Sequence, residues 1–187
     1  MLKNIMKTII FLSCLIFNIS AFAAPSYYTY GSTTDFLNYM GSTPTYDLYA
    51  TSESLAFLET YTTYKETKIW QLDVLYAPNN EKARSIMINT LTKDPDIHWW
   101  NTPSNSRKLW GVLGTMGHDP STNFLRMRVS ELFVNDNGEV IGAVNADNQI
   151  EDNDFDEIPS MKKISDCIES YLAKRYPPTR NSTAPVE

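Results

Sequence analysis

Few residues in this 187-residue chain have types and spacings that suggest chemistry. Its histidines are His98 and His118, and its two cysteines are Cys14 and Cys167. A zinc site usually needs three or four nitrogen or sulfur ligands, and no local spacing groups these residues into such a set. Cys167 lies at the edge of an apolar helical stripe, which favours a buried thiol over a reactive one. We therefore expect neither a metal site nor a cofactor.

Carboxylates are the most abundant reactive groups, with 22 Asp and Glu against 16 Lys and Arg and a formal net charge of −6. Residues 147–157 are rich in acids, but Glu157 stands where an EF-hand loop beginning at Asp152 needs glycine. A solvated loop is favoured there over a Ca²⁺ site. Paired acids near Asp96 or Asp119 leave a hydrolase open as an alternative. Nucleic acid is not an expected partner, because phosphate binding needs clustered Lys and Arg.

The first 23 residues have the pattern of a secretory signal peptide. Lys3 and Lys7 precede an apolar run at residues 8–19, and Ala21 and Ala23 form a small-x-small cleavage site. We expect a bacterial protein that is exported by a Sec-type signal and is periplasmic or secreted, with no transmembrane span after cleavage. Cys167 would then be the one remaining cysteine, which leaves no partner for an intrachain disulfide.

The elements that must position any site follow from apolar spacing and from caps. N-cap chemistry at Thr51 before a three- and four-residue apolar period predicts a helix over residues 52–64. Residues 68–77 have the composition of a central strand. Asn79 or Asn80 can then cap a helix that ends before Pro95.

The second half of the domain alternates strong and weak signals. Residues 97–100 predict a short strand, and residues 104–116 predict a helix weakened by glycine. Asn135 to Gly138 form a strong turn signal for a hairpin between strands at 124–135 and 139–144. The apolar spacing that begins at Ser160 predicts a closing helix, which Pro177 terminates.

The order of these elements resembles the core of the thioredoxin-like fold, an α/β mixed sheet with a C-terminal β-hairpin and a closing helix. The likeness rests on residues 129–134, 137–140 and 160–172 and covers residues 52–176. Thioredoxin-like periplasmic components of conjugation and type IV secretion machinery are the nearest functional analogy. By this resemblance the redox site would lie at residues 76–83, which contain no cysteine, and the cis-proline would lie near Ser130, where no proline stands. The resemblance therefore implies a scaffold without the disulfide chemistry, which requires a thiolate.

The sequence thus predicts four segments. They are a signal peptide at residues 1–23, a Tyr-rich N-terminal arm at 24–51, a single α/β domain at 52–176 and a flexible tail at 177–187. Large aromatic side chains outside regular elements can anchor a partner, which makes four residues the expected partner contacts. These are Tyr27, Tyr28, Tyr30 and Trp99.

We expect a non-enzymatic envelope protein that acts by protein–protein interaction, as a component of a secretion or assembly complex. Two alternatives remain open. One is a carboxylate-dependent hydrolase of an envelope substrate, and the other is an inhibitor or immunity-type protein that occupies the cleft of a toxin.

Overall fold

The computed structural model describes residues 24–65, 69–100, 108–128, 131–144 and 150–177. The expected signal peptide, residues 1–23, and residues 178–187 of the expected tail lie outside this description. The described chain forms ten strands and three helices, which are β1 (Tyr27–Tyr30), β2 (Thr33–Ser42), β3 (Tyr46–Thr51), α1 (Ser52–Lys65), β4 (Trp70–Pro78), α2 (Glu81–Leu91), β5 (Ile97–Trp99), β6 (Leu109–His118), β7 (Phe124–Arg128), β8 (Glu131–Asn135), β9 (Val140–Val144), β10 (Ile150–Asp154) and α3 (Pro159–Arg175).

The strands form one sheet that curls into a half-barrel. Its order is β1-β2-β3-β4-β6-β8-β9-β5, and β7 pairs with both β6 and β10. Every ladder between these named strands is antiparallel. The expected thioredoxin-like α/β mixed sheet is therefore wrong. That fold needs parallel central strands joined by crossovers, whereas α2 leads from β4 to the far edge strand β5, which pairs antiparallel with β9.

The two helices predicted from local N-caps, α1 and α2, are confirmed. α1 begins where Thr51 Oγ1 accepts a hydrogen bond from the Ser54 backbone N–H at 3.2 Å. α2 begins after Asn80, whose side-chain oxygen accepts a hydrogen bond from the Ala83 N–H at 2.9 Å. A side-chain oxygen at the N-cap satisfies a helix N–H that has no intrahelical acceptor, so these starts follow from the sequence alone.

The predicted helix over residues 104–116 is wrong where the structure describes it, because residues 109–118 form strand β6. β6 lies between β4 and β8 and is buried on both faces, so its apolar residues show no alternation. Its glycines permit close approach to neighbouring strands: a Cβ on Gly111 would lie 2.9 Å from Leu75 Cδ2 and 3.1 Å from the Tyr76 carbonyl oxygen.

The predicted C-terminal hairpin and closing helix are confirmed. Gly138 has a φ of 82° in the turn between β8 and β9, and Asn135 Oδ1 accepts the N–H groups of Asn137 and Glu139 at 2.9 Å each. The acidic segment differs from the expected loop, since residues 150–154 form β10 against β7. There Asp152 accepts two hydrogen bonds from the Arg126 guanidinium, at 2.7 and 3.0 Å.

The sheet has a core on each face. On one face, Leu48, Leu72 and Met116 pack against α1 and α3 and form the first core. The other half of the same face packs Phe133 against Met87 of α2. The opposite face carries the second core, which consists of Tyr49, Leu75, Ala77, Trp110, Leu113 and Val134. Successive strand residues point to opposite faces, so a strand such as β4 contributes to both cores.

The segment expected to be a Tyr-rich arm supplies three strands of the sheet instead. Leu48 and Ala50 of β3 are fully buried, so the strand is part of the core. The hairpin of β1 and β2 extends over the second core, where Tyr28 and Leu37 pack. The Thr29 N–H donates to the Gly138 carbonyl at 2.7 Å and ties β1 to the turn between β8 and β9.

Candidate functional site

A groove of about 490 Å³ lies between α1 and β4. This volume lies in the range of ordinary ligand sites. α1 and β4 supply most of the wall, and the full lining is Glu53, Ser54, Phe57, Leu58, Ile69, Trp70, Gln71, Leu72, Asp73 and Thr115.

The groove follows an open strand edge. β3 pairs with β4 only as far as the Ala50–Val74 register pair, because the chain then turns into α1. Residues 70–73 continue beyond that point and, within the described chain, have a strand partner only on the β6 side. All four line the groove although alternate residues point to opposite faces. The groove therefore runs along the edge of the strand.

Two carboxylates, Glu53 and Asp73, line the groove, and a third, Asp35, lies at the first turn of α1. Asp73 accepts a hydrogen bond from Thr115 Oγ1 at 2.7 Å. Asp35 is buried and accepts the Glu53 N–H of the first turn of α1 at 3.4 Å, a position where the helix dipole favours a negative charge. Burial, followed by the charges of Asp35, Asp73 and Glu53, raises the pKa of Tyr28 to about 12. The Tyr28 phenol thus lies in the field of all three acids.

Apolar groups form the other wall of the groove. Phe57 is 70% exposed on α1, and Ile69 is also exposed at the start of β4. Trp70 is buried, and its Nε1 has no hydrogen-bond acceptor among the described residues. A groove with an acidic end and an apolar wall can hold a ligand that carries both cationic and apolar groups.

A second surface consists of two exposed aromatic residues of the first hairpin, which we call the hairpin surface: Tyr27 and Phe36. Tyr27 and Phe36 are register partners on β1 and β2 and are 41% and 62% exposed. Tyr30 is half exposed, and its ring stacks on Trp100 with centroids 5.6 Å apart. Strand pairing holds Tyr27 and Phe36 next to each other on one face of the hairpin, whereas Tyr30, three positions from Tyr27, points to the opposite face together with Tyr28.

The four expected partner residues are divided by the structure. Tyr27 lies on the hairpin surface. Tyr28 and Tyr30 point to the other face of the hairpin, where Tyr28 packs on the second core and Tyr30 contacts Trp100. Trp99 is partly buried at the opposite edge strand and stacks on Phe133 at 5.0 Å between centroids. Phe36, which no sequence signal indicated, contributes the more exposed ring of the hairpin surface.

The other candidate groups have structural surroundings. Cys167 is partly buried against the first core, and burial raises the pKa of its thiol. His118 is buried, with Nδ1 2.8 Å from the Phe124 carbonyl oxygen and Nε2 3.3 Å from Glu169 Oε1, and so links β6 to α3. Asp119 accepts two hydrogen bonds from Ser121 within its own turn. The described residues contain no group of three or more His, Cys, Asp or Glu placed to hold a metal ion.

A carboxyl–phenol pair lies away from both surfaces. Tyr76 Oη donates to Glu131 Oε1 at 2.5 Å across the position of β6 where Gly114 leaves room. Burial is the main cause that raises the pKa of Glu131 above its usual 4.5, and the charge of Glu151 adds to it. Burial and the charge of Glu131 also raise the pKa of Tyr76.

This pair predicts how stability depends on pH. Because the folded state retains the Glu131 proton more strongly than the unfolded chain does, the free energy of unfolding falls as pH rises from about 4.5 through the raised pKa. Glu131→Gln keeps the acceptor for Tyr76 and removes this titration. In urea unfolding between pH 4.5 and 7.5, we expect the variant to gain stability relative to wild type as pH rises. Glu157→Gln, an exposed control, should give a difference that does not grow with pH; a flat difference for Glu131→Gln would contradict the prediction.

In the part of the chain that the structure describes, no helix is both long and apolar enough to cross a membrane. Comparisons with family models, with curated proteins and with solved structures find no match to this chain. The groove and the hairpin surface are therefore the features on which a function can be argued.

Proposed function

We propose that this chain is an exported, non-enzymatic protein of the bacterial cell envelope that binds a protein partner through the hairpin surface. The signal-peptide pattern of residues 1–23 supports export. The observation that carries the binding role is the pair of exposed rings, Tyr27 and Phe36, at opposite positions of one hairpin. Aromatic side chains contribute much of the binding energy in protein interfaces.

Backbone hydrogen bonds connect the two ends of the hairpin and tie it to the rest of the sheet. The Leu37 N–H donates to the Ser26 carbonyl at 2.9 Å, and the Thr29 N–H donates to Gly138. Tyr28 anchors the inner face of the hairpin in the second core while Tyr27 faces outward. Binding therefore needs little further ordering of the backbone, which leaves more of the contact energy as affinity.

The test is loss of affinity after the two rings are removed. Photo-crosslinking from residue 29 in the envelope would identify the partner, and the purified pair would give a Kd by biolayer interferometry. Tyr27→Ser with Phe36→Ser should weaken binding at least tenfold, since truncating one aromatic hot spot costs on the order of 1–2 kcal/mol or more. The matched control is Ile86→Ser with Ile150→Ser, which removes two exposed apolar side chains elsewhere. No crosslinked protein, or equal affinity for both double variants, would reject the proposal.

A second candidate, a hydrolase of an envelope glycan, is favoured by one observation. The groove brings two carboxylates, Glu53 and Asp73, beside the aromatic residues Phe57 and Trp70. These are not the acids near Asp96 or Asp119 that the sequence suggested. Glu53→Gln or Asp73→Asn should then abolish release of soluble sugar from purified cell wall. If the wild-type protein releases none, this candidate is excluded.

The inhibitor role differs from the first proposal only in the partner. A partner that is itself an enzyme, and whose activity falls in proportion to occupancy of the hairpin surface, would identify this role. If the activity of the partner enzyme is unchanged when this protein saturates it, the inhibitor role is excluded.

A further inference from the structure

We propose that the groove between α1 and the open edge of β4 binds an extended segment of a partner protein in which apolar and basic residues alternate. The segment adds as a strand beside residues 70–73. This inference rests on the proposed function and names the chemistry of the partner. It assigns a second contact, separate from the hairpin surface.

The strand edge supplies the first part of the argument. Within the described chain, residues 70–73 pair with β6 on one side and border the groove on the other. An extended segment rises about 3.3 Å per residue, so four edge residues span roughly 13 Å and match four residues of a partner. A strand edge presents backbone N–H and C=O groups to an incoming strand, which is the basis of binding by strand addition.

The two faces of the sheet supply the second part. Trp70 and Leu72 point to the face that α1 covers, where Leu58 packs and Phe57 lines the groove. Asp73 points to the opposite face and is directly opposite Thr115 on β6. An added strand must follow the same alternation, so every second side chain meets the apolar wall and the others meet the face of Asp73.

Charge complementarity decides which polar side chains fit. Glu53 and Asp73 line the groove, and buried Asp35 lies against the first turn of α1. The chain as a whole carries a formal net charge of −6. Lys or Arg on the acidic side would be attracted, and Asp or Glu would be repelled. Apolar residues on the other side would bury the exposed ring of Phe57.

Synthetic probes can test strand addition directly. The first probe is an N-acetylated, C-amidated five-residue peptide of alternating isoleucine and lysine, and the second replaces lysine by glutamate. Two further probes carry backbone N-methyl groups on alternate residues of the lysine peptide, one blocking each edge of the added strand. Titration of the folded protein, followed by amide chemical shifts, gives a Kd for each probe.

We expect the lysine peptide to bind with shifts at residues 70–73, and the glutamate peptide to bind at least tenfold more weakly. N-methylation of one edge should weaken binding at least tenfold, and N-methylation of the other edge should leave it unchanged. Glu53→Gln with Asp73→Asn should weaken binding several-fold and reduce its salt dependence. The control, Asp136→Asn with Glu157→Gln, removes two charges outside the groove and should leave the Kd unchanged.

Four outcomes overturn the inference, the first of which is that the lysine peptide does not bind. Equal binding of the lysine and glutamate peptides would remove the charge argument. If neither N-methylated peptide binds more weakly than the lysine peptide, the contact is general electrostatic attraction and not strand addition. A dimer in sedimentation that the lysine peptide dissociates would show that a second copy of this chain occupies the groove.

The groove assignment and the proposed function of the hairpin surface can be rejected independently. Tyr27→Ser with Phe36→Ser leaves the groove intact, so the lysine peptide should bind this variant as it binds wild type. If the peptide binds but the hairpin substitutions leave the affinity for the partner unchanged, the proposed function is wrong and the groove assignment stands. If partner affinity depends on the hairpin surface and the lysine peptide does not bind, the groove assignment is wrong and the proposed function stands.

Discussion

Replacing Phe133 by alanine should lower the free energy of unfolding by about 3–5 kcal/mol, the usual range for removal of a buried phenylalanine. Phe133 is 0% exposed, belongs to the core that includes Met87 of α2, and stacks on Trp99. β8 and β9 hold its backbone in the sheet, so collapse of the surroundings can fill little of the cavity. Urea unfolding measures the change.

Phe36→Ala is the matched control for this experiment. The ring is exposed on the hairpin surface, and its removal should change stability by no more than about 0.5 kcal/mol. A loss below about 1 kcal/mol for Phe133→Ala would mean that α2 does not cover this half of the sheet as the structure places it.

The second large effect is expected for Gly138→Ala. Gly138 has a φ of 82°, and a Cβ there would lie 2.5 Å from the Tyr27 carbonyl oxygen. The new methyl group would strain the turn and push β1 away from its hydrogen bond to Gly138, at a total cost of roughly 2–4 kcal/mol. Thermal unfolding would report the loss, and faster hydrogen exchange at Thr29 would report detachment of the hairpin.

Gly31→Ala is the control that separates backbone strain from the steric clash of the added Cβ. Gly31 also has a positive φ, of 60°, but a Cβ there meets nothing within 4 Å. Only the backbone strain remains, which costs on the order of 1–2 kcal/mol. Equal losses at Gly31 and Gly138 would contradict the contact between β1 and the turn of β8 and β9.

Elements specified by local chemistry could be predicted from the sequence. Thr51 and Asn80 cap helices through bonds to residues three positions later, and Gly138 supplies the positive φ of a turn. These interactions involve neighbours in sequence, so their residue types and spacing are sufficient evidence. The closing helix, with Lys174 and Arg175 in its last turn, was predictable for the same reason.

β6 was mispredicted because its environment is not local. A strand covered on both faces carries apolar residues on both of them, and the resulting run of apolar residues also fits a buried helix. The close approach of β4 accounts for glycine at position 111, a residue that would weaken a helix. The thioredoxin-like prediction failed with it, because a strand at the centre of an antiparallel sheet replaced the expected helix.

The groove had no signature in the sequence. Its two lining acids, Glu53 and Asp73, are 20 positions apart and belong to a helix and a strand, and Asp35 joins them only because β2 passes the start of α1. Among the aromatics, the sequence found Tyr27 and Tyr30 by composition. It missed Phe36, whose exposure depends on which face of β2 the hairpin leaves open.

The sequence by itself determined the caps, the hairpin turn, the strand β4, the three helices and an acidic charge balance. Each of these depends on residues a few positions apart or on composition. Only the tertiary structure decided that the strands form one antiparallel half-barrel, that β4 extends past the end of its ladder with β3, and that Glu53 and Asp73 line one groove with buried Asp35 at the start of α1. Those features arise from pairing between segments far apart in the chain, and which segments pair is settled by the burial of both faces of the sheet together.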